Sequence, residues 1–139
     1  MILLDTSGLL AWIDARQRGH RAVAKAMETV DGPYLLSPFV LAELDYLLAT
    51  RVGAAAQYAL MAEVESGAYR LESFDAADVG LALSVMRRFA DLEIGLADAS
   101  IVVLAARHGC SAILTLDERH FRVVSSFDGE PFRLLPADT

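Results

Sequence analysis

Short, wholly apolar runs (Ile2-Leu3-Leu4, Tyr34-Leu35-Leu36 and Ala112-Ile113-Leu114) alternate with longer segments of helical periodicity. That alternation predicts an α/β protein of three layers, a mainly parallel sheet of four to five short strands with helices on both faces. Strands lacking a polar face are what a sheet buried on both sides requires. A third observation marks the functional edge. Two of the runs end in hydroxyls and a carboxylate, Asp5-Thr6-Ser7 and Thr115-Leu116-Asp117, and open α/β sheets keep ligand sites at the carboxyl ends of their strands.

The 139 residues, 55% of them hydrophobic, suit one domain spanning 1–139 with a substantial core. No apolar run reaches the roughly 18 to 20 residues of a membrane span. The first residues lack the basic segment and cleavage site of a signal peptide, so a cytoplasmic protein is expected. The single cysteine, Cys110, has no internal disulfide partner and is expected as a buried thiol. The net charge of −7 and pI near 4.8 argue at first against a nucleic-acid partner. That argument weakens if the acids are clustered around divalent cations, because the formal charge counts the ligands and omits the metal. Lys25 is the only lysine, and the other eleven cations are arginines.

After Ile2-Leu3-Leu4, Ser7 is placed to cap a short helix through Leu9, Leu10, Ala11 and Ile13, ending near Asp14. Trp12 on that helix reads as a core or interface anchor. A basic stretch follows, Arg16-Gln17-Arg18-Gly19-His20-Arg21, with His20 as a surface or capping residue. Next comes a helix to about Val30 with Val23, Ala26, Met27 and Val30 facing inward. Asp31-Gly32-Pro33 is a turn before the strand Tyr34-Leu36, and Ser37-Pro38 reads as an N-cap and first helical position. The helix so begun runs to about Val52 and stops at Gly53. Its Glu43 lies in an apolar stripe with Phe39, Val40, Tyr46 and Leu47. Asp45 stands roughly 200° around the wheel with apolar neighbours too, so periodicity does not choose between these acids.

A helix from Ala54 to Glu65 adds Tyr58, Leu60, Met61 and Val64. This is more apolar surface than one small sheet covers, and it predicts a dimer interface or a peptide groove. Tyr69 to Phe74 alternates as a strand. Asp75 caps a helix through Val79, Leu81, Ala82, Val85, Met86 and Phe89, with Arg87 and Arg88 on its solvated side. Gly95-Leu96-Ala97-Asp98 opens a helix that ends at His108 with Gly109 as its stop. Asp98 shares the sheet-facing side with Ile101, Val102 and Ala105; its ordinary reading is a cap or first-turn acid favoured by the helix dipole. His108 reads as a C-terminal dipole partner. Ala112-Thr115 is the next strand, and Phe132-Leu135 the last, at an edge. There is no internal repeat.

In this arrangement the strand ends with Asp5 and Asp117 and the helix starts with Glu43 and Asp98 share one edge. Acids this close raise one another's pKa unless a hard cation with oxygen ligands, Mg2+ or Mn2+, neutralises them. At these residues the sequence resembles the PIN-domain ribonucleases, and among them the VapC toxins of bacterial toxin–antitoxin pairs. The resemblance rests on Leu3-Leu4-Asp5-Thr6-Ser7, Ser37-Pro38-Phe39-Val40-Leu41-Ala42-Glu43-Leu44, Ala97-Asp98-Ala99-Ser100-Ile101 and Ile113 to Phe121, in that order across nearly the whole chain.

The resemblance implies a PIN-like fold and an acidic quartet of Asp5, Glu43, Asp98 and Asp117, which selects Glu43 over Asp45. Thr6, Ser7 and Thr115 match positions that orient the acids or the waters of a metal. The implied activity is Mg2+- or Mn2+-dependent hydrolysis of structured RNA (transfer RNA or a ribosomal RNA loop) by water attack on the phosphodiester. Asp5 and Asp98 would hold the cation most directly, and the products would carry 5′-phosphate and 3′-hydroxyl ends. Arg119 and His120, then Arg16, Arg18 and Arg21, are the expected phosphate contacts. The implied partners are a VapB-type antitoxin and a second copy of the chain. Two alternatives stand beside this reading. One is a non-catalytic module that binds RNA or a partner. The other is a small Mg2+-dependent phosphatase of the haloacid dehalogenase type, which places a second Asp where this chain has Ser7 and needs a lysine that only Lys25 could supply.

Overall fold

The computed structural model describes residues 1–139. Five strands form one all-parallel sheet: β1 (Ile2–Leu4), β2 (Tyr34–Leu36), β3 (Arg70–Leu71), β4 (Ala112–Leu114) and β5 (Arg133–Leu135), in spatial order β3-β2-β1-β4-β5. The predicted class and strand number are therefore observed. The central β1 pairs Leu3 with Leu35 on one side and with Ile113 on the other. All three β1 residues are at most 1% exposed, as expected of a strand covered on both faces.

Seven helices surround the sheet: α1 (Thr6–Ile13), α2 (His20–Met27), α3 (Pro38–Arg51), α4 (Ala54–Glu65), α5 (Ala76–Arg88), α6 (Leu96–His108) and the single turn α7 (Glu118–Phe121). Helix α6 is the most deeply packed, with every residue from Ala99 to Ala105 buried. Its end matches expectation: Gly109 is left-handed at φ 60° and closes the helix. Trp12 meets Tyr34 and Tyr69 edge-to-face at 5.3 and 6.5 Å and Cys110 is buried, both consistent with core roles.

Local expectations fail where tertiary contacts take over. The predicted strand at Tyr69 to Phe74 shrinks to two exposed residues, because only Leu35 and Leu36 offer it partners. Helix α2 ends at Met27 rather than Val30. Ser7 is not a cap, since Asp5 holds the N-cap position of α1 and Ser7 lies within the first turn. His20 neither caps nor sits free: its Nδ1 donates to the Ala11 carbonyl at 2.8 Å and ties α2 to α1. On α4, Leu60 is buried and Met61 and Val64 are half-buried, leaving Tyr58 with Tyr46 of α3 as the large exposed apolar groups there. The uncovered surface is thus narrower than the sequence suggests. No helix is long and apolar enough to cross a membrane.

Two contacts set the carboxyl edge. A Cβ at Gly8 would lie 2.3 Å from the Leu114 carbonyl oxygen, so only glycine lets α1 start directly against the end of β4. Ser37, capping α3 through the Phe39 amide, also donates to the Ser100 hydroxyl at 2.7 Å, and Ser100 in turn donates to the Ala97 carbonyl. This buried pair pins the starts of α3 and α6 together.

Candidate active site

Asp5 leaves the end of β1 only 5% exposed, and burial raises its pKa above the usual carboxylate value. Two hydroxyls hold it: Ser7 Oγ and Thr115 Oγ1 each donate to Oδ2 at 2.7 Å. Both hydroxyls are themselves oriented from behind, Ser7 accepting from the Leu116 amide at 3.0 Å and Thr115 from the Asp117 amide at 2.9 Å. The result is a chain of donors ending on one oxygen, which leaves Oδ1 without a side-chain partner. No basic side chain pairs with Asp5.

Asp98 sits in the first turn of α6, whose N-cap is Gly95 without any side-chain cap. It makes no capping bond, which answers the ordinary reading of this residue. Its carboxyl is pushed up to about 6, by burial first and then by the charge of Asp5, with Asp117 and Glu43 adding and His120 opposing. A helix N-terminus would lower the value, so crowding by like charge and burial prevails. Asp117 caps α7 by accepting from the His120 amide at 3.1 Å. Glu43 is exposed; the buried face of α3 is Val40, Leu44 and Leu48, and Glu43 stands beside it. The Glu43 carboxylate is thus not buried, despite its apolar neighbours along the helix. Asp45 turns the other way and accepts from Gln57 Nε2 at 2.7 Å.

All four predicted acids line one cavity of about 440 Å³, together with Thr6, Ser7, Leu47, Arg51, Gly95 and His120. Thr115 stands behind Asp5. Of the expected phosphate contacts, only His120 is brought in, and it sits between acids: Nδ1 is 3.0 Å from Asp117 Oδ2 and 3.5 Å from Asp98 Oδ2. Arg119 and Arg18 are exposed and outside the lining, and Arg21 borders a separate surface pocket. Arg16 is outside as well, its Nε held at 3.2 Å by Asp14, whose pKa is lowered chiefly by Gln17 and then by Arg16. Lys25 lines other cavities, beyond Leu116 or on α2, so the phosphatase reading lacks its lysine here. The sequence reading missed Arg51, although its i+8 spacing from Glu43, with Leu47 at i+4, puts all three on one face of α3. It also missed Gln17, which carries no local signal.

The site suits a hard divalent cation on three grounds. Its donors are all oxygens. Its negative charges repel one another, and the one permanent cation in the lining, Arg51, forms an ion pair with none of them. One buried hydroxyl, Thr6 Oγ1, has no hydrogen-bond partner and belongs to the site, and such atoms are rare in folded proteins. No three side chains close into a ready-made cage.

The PIN-domain sequence model, "PIN domain", matches residues 2–125. Ribonuclease VapC26 of Mycobacterium tuberculosis is 42% identical over 135 residues, which is 97% of this chain and 100% of that protein. Among solved structures, Mycobacterium tuberculosis VapC20, a sarcin-ricin loop cleaving toxin, superposes with a TM-score of 0.78 at 25% identity, over 84% of this chain and 90% of that one. FitAcB from Neisseria gonorrhoeae shares the fold, with a TM-score of 0.60 at 22% identity over 85% and 88% of the two chains. With this agreement of sequence, fold and an acidic pocket at the carboxyl edge, the chain belongs to the PIN-domain family and, within it, to the VapC ribonucleases.

Proposed function

We propose that the chain is a Mg2+- or Mn2+-dependent endoribonuclease toxin that hydrolyses a phosphodiester of structured RNA and is held in check by a VapB-type antitoxin. The observation that carries this reading is the pocket where Asp5, Asp98, Asp117 and Glu43 meet without a cationic partner sufficient for them. A divalent cation bound there supplies a Lewis acid for the phosphate and lowers the pKa of water. The chain's own part is positioning. Ser7 and Thr115 hold Asp5 through Oδ2 and leave Oδ1 free of side-chain partners. Asp98 and Asp5, the more buried acids, would hold it most directly, while Glu43 and Asp117, more exposed, would complete the site directly or through water and would help to deprotonate that water. Thr6 Oγ1, the buried hydroxyl without a partner next to Asp5, would be available to orient a water bound there. His120 places its Nδ1 between Asp98 and Asp117.

VapC20 acts on the sarcin-ricin loop, which makes exposed ribosomal RNA loops the first substrates to try, ahead of transfer RNA. The exposed Tyr46 and Tyr58 mark the face for a second copy or for the antitoxin, and the complex is expected to work in the cytoplasm. Incubating the pure protein with total RNA and Mg2+, Mn2+ or EDTA tests the activity. Metal-dependent cleavage abolished by Asp5→Asn is the expected result; cleavage that survives both EDTA and the substitution ends the proposal. Growth arrest by this chain alone, relieved when a short partner co-purifies with it, tests the toxin role.

A further inference from the structure

Arg51 is the only permanently charged cation in the lining of the acidic pocket. It sits in the last turn of α3, on the face that also presents Glu43 and Leu47 to the pocket. Eight residues along a helix separate the Arg51 and Glu43 backbones by about 12 Å, and no ion pair joins the two side chains. The guanidinium is exposed. It has no salt bridge, and it donates no hydrogen bond, not even to the carbonyls at the end of its own helix, where an arginine is commonly used as a cap. The other basic side chains of this neighbourhood are engaged or elsewhere: Arg16 binds Asp14, and Arg18 and Arg119 lie outside the lining. Gln17 shares the lining, but its amide is donated to Asp14 Oδ2 at 3.0 Å. An uncommitted guanidinium in the lining of a cavity that also holds four acids is suited to a bidentate oxyanion, since its planar fork matches phosphate.

We infer that Arg51 is a substrate-positioning residue. It binds a phosphate of the RNA flanking the scissile one, so that the strand leaves the acids along α3, over Leu47, rather than across Arg119. This rests on the ribonuclease reading above. The pairing sets the division of labour: the acids with their cation act on one phosphate, and Arg51, which shares the lining but pairs with none of the acids, binds a neighbour and determines register. Its removal therefore weakens binding of substrate and leaves the chemical step intact.

The test is steady-state cleavage of a defined single-stranded loop oligonucleotide, in Mg2+, by the full chain and by Arg51→Met and Arg51→Lys. Arg51→Met is expected to raise KM about tenfold with kcat within about twofold. It should lower the slope of log affinity against log salt by about 0.7, the value for one phosphate contact to a single strand. Arg51→Lys should recover part of the loss, because it keeps the charge and loses the fork. Replacing single linkages of the oligonucleotide by neutral methylphosphonates locates the partner: one flanking linkage should reproduce the Arg51→Met effect, and combining the two should cost no more than either alone. An unchanged KM and salt slope in Arg51→Met, a loss confined to kcat, or additive effects at every linkage overturns the inference. So does unchanged RNA binding together with weakened antitoxin binding, which would reassign Arg51 to the protein partner. If the unsubstituted chain shows no metal-dependent cleavage, it is the ribonuclease reading that fails. Because Arg51 is exposed and unpaired, both variants are expected to melt with the parent, which separates any kinetic change from misfolding.

Discussion

Two carboxylates of this fold are buried to a similar degree and have opposite surroundings. Asp5 is 5% exposed and Glu72, just after β3, is 8% exposed. Around Glu72 the chain supplies two arginines and an imidazole: Arg70 Nε at 3.3 Å, Arg107 Nη1 at 3.5 Å and His108 Nε2 in direct contact, with Arg107 also reaching Asp78 at 2.9 Å. Around Asp5 it supplies hydroxyls and three more acids. A buried carboxylate needs compensation in either case. Glu72 receives it from within, and so serves to fasten β3 to the ends of α5 and α6. Asp5 must receive it from outside, which is the physical signature of a ligand site. His108, which the sequence presents as a dipole partner at a helix end, is thereby reassigned to an ion cluster.

The comparison can be broken by exchanging the fates of the two acids. Asp5→Asn should lower RNA cleavage by about a thousandfold, the equivalent of roughly 4 kcal/mol of transition-state stabilisation. It should not reduce the melting temperature, because the charge it removes is uncompensated without metal. Glu72→Gln should do the reverse: cleavage within a few-fold of normal, with a stability loss of roughly 1 to 2 kcal/mol, discounted for the exposure of Arg70 and Arg107. A calorimetric scan beside an activity assay of both variants decides the matter. A large loss of stability in Asp5→Asn, or of activity in Glu72→Gln, would refute the distinction.

A smaller effect is expected one layer back. Thr115→Val removes one of the two hydroxyls on Asp5 Oδ2 and should cost about ten- to a hundredfold in cleavage or in Mg2+ affinity, as for other groups that orient metal ligands. Titration of cleavage against Mg2+ measures it, and a variant as active as the parent would show the hydroxyl to be dispensable.

Smaller again is a pH effect through Asp98. Its carboxyl, pushed up to about 6 in the folded chain from 3.8, binds a proton more tightly folded than unfolded. The penalty of the charged form is absent below about pH 4 and fully present above about pH 6. Without metal, the parent should therefore lose stability from pH 4 to 7 relative to Asp98→Asn, and Mg2+ should restore it at pH 7 more than at pH 5. Parallel melting curves for parent and variant across that range would count against the crowding of acids.

The smallest expected effect concerns the second acid of α3. Asp45 faces Gln57, away from the pocket, so Asp45→Asn should leave cleavage within about twofold while Glu43→Gln does not. Equal losses would remove the distinction between the two.

The sheet and its helices were legible because their signals are local. Apolar runs, the Ser37-Pro38 start and the Gly109 stop are all contained within a few residues. The four acids could be placed at one edge because strand ends and helix starts of a parallel sheet meet there. Less legible were features that depend on distant partners. Tyr69 to Phe74 has a strand's alternation, yet β3 extends only as far as β2 can pair with it. Ser7 has a cap's chemistry, but Thr115, more than a hundred residues away, makes it a support for Asp5. Arg16, Arg18 and Arg119 have suitable charge for phosphate, whereas only Arg51 shares the pocket.

The sequence by itself determined the α/β class, the order of elements and the carboxylates available at the carboxyl edge, because periodicity and turn chemistry act over short stretches of chain. Only the tertiary structure decided which of those carboxylates lacks a cation. Charge pairing is a matter of distances between residues such as Glu72 and His108, or Asp5 and Asp98, that no local pattern relates.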